Sequence, residues 1–189
     1  MMTWNLSPLF WGRMAFCSGI LLYLCAAGLT FAAGSKNASV LERLARNKWI
    51  GLFGGWIALA ICVPHAVVVS PQFLLPLLWP MAVIVPVLGF FFVDYPAARA
   101  VGGLLILSGY SLVHYTFDFH TPGAPAFAVL GWLTGIAGIW ISGKPCAMRD
   151  YFRLVSGRRS YRFICGALWS VAALFALWAL VMTRDGGAL

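Results

Sequence analysis

Charge is what this chain most lacks. Charged residues make up 10% of its 189 positions, against about 25% in a soluble domain. That shortfall excludes a water-soluble core, because too few groups remain to face water. Hydrophobic residues reach 62% and the mean hydropathy is +0.89. About 20 apolar residues cross a bilayer. The chain therefore accommodates five to seven spans and leaves no room among them for a separate soluble domain.

Catalytic signatures are missing too. There is no P-loop, no GxGxxG, no GxSxG and no HExxH, so nothing points to nucleotide, dinucleotide, serine-hydrolase or zincin chemistry. Ser108 and Ser111 share a predicted helix with His114, but serines in membrane helices usually bond their own backbone. The five cysteines, Cys17, Cys25, Cys62, Cys146 and Cys165, form no CxxC. None falls in a predicted outer turn. That argues against a disulfide framework or a thiol redox motif and reads them as small residues in lipid or bundle.

The charge that is present is lopsided. The net charge is +8, but the basic residues cluster in two loops flanking apolar runs. That is the positive-inside pattern, with contact to anionic headgroups, rather than a nucleic-acid surface. Arg43, Arg46 and Lys48 sit in the first loop, with Lys36. Arg149, Arg153, Arg158, Arg159 and Arg162 sit in the second, with Lys144. All are candidates for contact with anionic lipid or a membrane partner on the inner side.

Six spans are expected, at about 14–33, 49–69, 73–93, 97–117, 126–142 and 163–182, in a single all-α membrane domain. Trp4 and Trp11 suit an interface before the first. A cleaved signal peptide is disfavoured there, since no basic residue precedes Arg13 and the apolar run is long. In the first loop, SVLERLARNKW carries apolar residues at helical spacing and reads as a surface helix. Ser39 and Glu42 match a capping box. Ser70-Pro71 reads as an N-cap and first helical position, making spans two and three a tight hairpin. Pro76, Pro80 and Pro86 make span three irregular. Gly131, Gly135 and Gly138 give a GxxxG face for close helix packing. In SGKPCAMRDYFR a helix stops at Gly143, breaks at Pro145 and continues as a basic juxtamembrane segment, a docking surface or a topology determinant. With both basic loops and the Arg99 turn inside, both termini lie outside, and the membrane is the plasma (inner) membrane.

The chain is organised around Val101–His120, VGGLLILSGYSLVHYTFDFH, which begins apolar and ends with Tyr110, His114, Asp118 and His120. Ionisable groups near membrane depth are functional-site candidates. His65 and His114 each lie about one turn from the outer end of an outward-running span. They therefore share a depth and are expected to face each other, with Asp118 four residues past His114 on the same face. Arg13 and His120 lie at the same level. Three readings compete for this layer. It can be a structural cluster at the headgroup boundary. It can be a cofactor site, in which His65 and His114 bind a haem b or a quinol. It can be a metal or proton path through His65, His114, Asp118 and His120. For the whole chain the leading expectation is a non-catalytic subunit or assembly component of a membrane complex. A haem- or quinol-binding electron-transfer subunit and a small transporter or channel are the alternatives.

Overall fold

The computed structural model describes residues 8–34, 37–118, 120 and 122–185, with the side chains of 8–13, 15, 68 and 182–185 left out. The expectations for Trp4, Trp11, Arg13 and Lys36 lie outside the described side chains. Among the described residues the structure is all helix and turn. The elements are α1 (Pro8–Ala32), α2 (Ala38–Ala45), α3 (Lys48–Val69), a 3-10 turn (Gln72–Leu74), α4 (Leu75–Phe92), α5 (Pro96–Asp118), α6 (Ala124–Gly143), α7 (Cys146–Gly157) and α8 (Arg159–Asp185).

Five of these helices are long and apolar enough to cross a membrane: Lys48–Val67, Gln72–Phe92, Pro96–Asp118, Ala124–Gly143 and Arg159–Val181. The other expected span, 14–33, coincides with α1, whose described apolar stretch Phe16–Ala32 is shorter. Long helices alternate in direction, so the bundle has a basic end and a histidine end.

α5 stands at the centre, packed by α1, α3, α6 and α8. Its small residues explain why neighbours reach it from several sides. Ala97, Ala98, Ala100, Gly102, Ser108, Gly109 and Ser111 are all buried, and none holds a partner backbone away. The main core joins Phe16, Ile20 and Tyr23 of α1, Leu105 and Leu112 of α5, Phe127 of α6 and an alanine row of α8. A second, smaller core at the basic end joins Leu41 and Ala45 of α2 to Phe152 and Val155 of α7.

The α5–α6 seam is built on glycine. A Cβ on Gly131 would lie 2.7 Å from the Gly109 carbonyl oxygen, and one on Gly138 would lie 2.6 Å from that of Gly102. The reverse substitutions meet the same backbone, since a Cβ on Gly102 would lie 2.8 Å from the Gly138 oxygen and one on Gly109 would collide with that of Gly131. The two pairs are two helical turns apart on each helix, as antiparallel packing requires. A Cβ on Gly135 would meet nothing within 4 Å. The seam closes on Gly131 and Gly138; the Gly135 backbone also lies in it, its N 3.1 Å from where a Cβ on Gly109 would stand, while its own Cβ position is open.

Three local expectations are corrected. Ser70 ends α3, its N–H bonding Ala66 O at 2.9 Å, and the extended Pro71 opens the 3-10 turn instead of α4. Ser39 and Glu42 form no capping box, because α2 is preceded by Asn37 and Glu42 turns to Arg153 of α7. The second basic loop, expected only as a basic juxtamembrane segment, is mostly α7, an amphipathic helix that lays Phe152 and Val155 on α2.

Arg153 Nε donates to Glu42 at 2.7 Å, tying α7 to α2. That bond holds the Glu42 carboxyl below the usual glutamate range. The folded state then takes up this proton less readily than the unfolded chain. The stabilisation is complete above the ordinary glutamate pKa of about 4.3 and is lost as the pH falls through the lower folded value. Glu42→Gln is expected to flatten the acid limb of a thermal-unfolding pH series in detergent, by a small amount because the pair is exposed.

Candidate functional site

Polar side chains gather in three places. The first is the bundle interior. The Tyr23 hydroxyl lies 3.1 Å from Ser108 Oγ of α5 and donates to Thr134 Oγ1 of α6 at 3.3 Å. One fully buried ring thus links α1, α5 and α6. Ser108 and Thr134 also bond their own helix carbonyls, Leu105 O and Leu130 O. Trp169 of α8 stacks on the Tyr23 ring with centroids 6.0 Å apart and donates from Nε1 to the Tyr151 hydroxyl at 3.1 Å. That hydroxyl lies 2.7 Å from Thr30 Oγ1 of α1. Thr30 donates to Ala26 O, so the tyrosine supplies the proton of this contact. Burial pushes the Tyr151 hydroxyl above the usual tyrosine range and keeps it a donor. The sequence reading passed over Tyr23, Thr30, Thr134 and Tyr151. The signal available was a buried-type hydroxyl on each of several apolar helices, but nothing in one sequence says which of them meet.

The second place is the histidine end. His65 of α3 and His114 of α5 come to the same level, and both contact the ring of Tyr110. The described ring contacts run His65–Tyr110 at 5.2 Å and Tyr110–His114 at 5.3 Å, with none directly between the imidazoles. His114 Nδ1 and Asp118 Oδ2 are 3.1 Å apart, one turn along α5, and both are well exposed. His65 Nε2 is buried without a hydrogen-bond partner. A pocket of about 340 Å³ opens beside Tyr110, Val113, His114, Phe117 and Asp118. His120 sits in the following turn at φ 49°, a left-handed conformation. Among the described residues, no three His, Cys, Asp or Glu side chains stand close enough to hold a metal ion.

The third place is the basic end. Many of its cations are engaged. Arg149 bonds Asp150 at 3.3 Å, Arg153 bonds Glu42, and Arg162 donates from Nη1 to Ala33 O at 2.7 Å, past the end of α1. Arg46 lies over the Tyr95 ring, Lys48 over Phe90, Arg158 over Tyr161 and Arg159 over Phe163. Arg43 lies exposed on α2. Alongside runs a cavity of about 960 Å³. Its walls are α1 (Leu22, Cys25, Ala26, Leu29) and α6 (Leu133, Ile136, Ala137, Trp140), with Val101 and Leu105 of α5 behind. Lys144 and α7, through Met148, Asp150 and Tyr151, close its basic end. The sequence reading did not foresee this cleft, because α7 forms its floor.

Comparison with family models, with curated proteins and with solved structures finds no match to this chain.

Proposed function

We propose that this chain is a small multi-pass protein of the plasma (inner) membrane that serves as a non-catalytic subunit or assembly component of a membrane complex. One observation carries the reading. Several buried hydroxyls are bonded from helix to helix, Tyr23 to Ser108 and Thr134, and Thr30 to Tyr151. These contacts join α1 to α5, α6 and α7 and hold the bundle together. α4 adds support. It packs mainly on α3, its two internal prolines free helix carbonyls, and Trp56 Nε1 of α3 bonds Val83 O at 3.2 Å beside one of them. An edge helix of this kind offers a lateral surface to another membrane helix.

The orientation follows from charge: basic end cytoplasmic, both termini outside, six spans including α1. A reporter active only in the cytoplasm is expected to work when fused within 34–48 and to stay silent after Leu189. Activity at Leu189 would reverse the orientation.

The histidine end favours a second reading, an amphipathic quinol-type ligand. His65 Nε2 has no partner, His114 is paired with Asp118, and a pocket opens beside His114 and Asp118. A haem held between His65 and His114 would have to share the site with Tyr110, whose ring contacts both imidazoles.

A further inference from the structure

We propose that the cleft between α1 and α6 holds one anionic membrane lipid, with its acyl chain among Leu22, Leu105 and Leu133 and its phosphate at Lys144. This depends on the membrane placement of the bundle and not on the subunit reading.

Depth is the first argument. From Leu133 to Lys144, α6 rises about 16 Å at 1.5 Å per residue. Half of a hydrocarbon core of about 30 Å is 15 Å. The cleft is therefore one leaflet deep, which suits a lipid chain and not a ligand spanning the bilayer.

The grading of its walls is the second. Leu22, Leu105 and Leu133 line one end, and the charged lining residues, Lys144 and Asp150, stand with Tyr151 among Leu44, Ile50, Phe152 and Leu154 at the other. That is the layout of an amphipathic molecule lying parallel to the helices, with its head at the basic end. The open flank carries Leu133, Ile136 and Trp140, each about 60% exposed, so a lipid enters sideways without leaving the leaflet. The volume of about 960 Å³ lies at the top of the usual range for ligand sites, roughly 300–1,000 Å³.

Charge selects the head. The Asp150 carboxylate is bonded by Arg149, and Glu42 of the neighbouring α2 is bonded by Arg153. No described hydrogen bond or ion pair engages the Lys144 ammonium, which stands exposed at the mouth. A phosphate with no cation of its own answers that charge. A choline headgroup would bring a second cation against it.

The test is native mass spectrometry of the delipidated full-length protein, titrated separately with phosphatidylglycerol and phosphatidylcholine. The wild type is expected to take up one phosphatidylglycerol with about tenfold preference, the size of one charge-assisted hydrogen bond. Lys144→Glu is expected to erase the preference. Ala137→Phe, which fills the cleft, is expected to reduce uptake of both lipids, and inorganic phosphate is expected not to displace the bound lipid. Should Ala137→Phe fail to fold, the surface change Lys144→Glu decides alone. Equal uptake of the two lipids by the wild type, an unchanged preference in Lys144→Glu, or displacement by phosphate would each overturn the proposal.

Discussion

Gly109→Leu is expected to abolish the folded bundle, while Gly135→Ala, on the partner helix, is expected to leave it intact. At Gly109 even a Cβ collides with the Gly131 carbonyl oxygen, and Gly135 N lies 3.1 Å away. Backbone atoms cannot rotate aside as a side chain can. The helices would have to separate along a seam that also contains the Gly102–Gly138 pair. Overpacking in a core costs about 1–3 kcal/mol and occasionally more. Here the upper end or beyond is expected, because α6 meets the bundle chiefly through α5. A Cβ at Gly135 meets nothing within 4 Å, and a change within about 0.5 kcal/mol is expected there, as at surface sites. Fluorescence-detected size exclusion in detergent reads both. A monodisperse Gly109→Leu protein would show that the seam is not as close as described.

Tyr23 gives the second large effect and separates packing from hydrogen bonding. Its side chain is fully buried and lies between Trp169 of α8 and the hydroxyls of α5 and α6. Tyr23→Ala is expected to cost about 3–5 kcal/mol, as for other large aromatic truncations. Tyr23→Phe keeps the ring and removes only the hydroxyl. Ser108 and Thr134 retain their own backbone acceptors, so neither is orphaned. Its expected cost is about 0.6 kcal/mol, the average for hydrogen bonds between membrane helices. Denaturant titration of both variants gives the comparison. A Tyr23→Phe protein as unstable as Tyr23→Ala would mean that the hydroxyl network, and not the ring, holds these helices.

Much of the architecture was legible because lipid imposes a simple code. Apolar length marked the helices, and the basic loops marked one end. Val101–His120 was picked for its polar end, and it is the small residues of the same helix that put α5 at the centre of the bundle. α7 was missed because its charges outweigh its apolar stripe: Phe152 and Val155 gain meaning only once α2 lies opposite them. The histidine layer was read by depth, and depth does not fix rotation about a helix axis. His65 and His114 reached the same level, and the ring that touches both, Tyr110, was not foreseen. The glycine seam was half visible for the same reason. Spacing alone offered Gly135 as readily as Gly138, and only the partner helix distinguishes the face in contact from the face in the open. The cleft was not legible at all, because it is made by seven helices distant in sequence.

Purification from its native membrane in mild detergent, followed by mass spectrometry and a visible absorption spectrum, tests the subunit assignment most directly. The expected result is a protein that travels with larger partner polypeptides and carries no stoichiometric haem. A monodisperse, partner-free protein that turns over a small substrate would contradict it, as would one haem per chain.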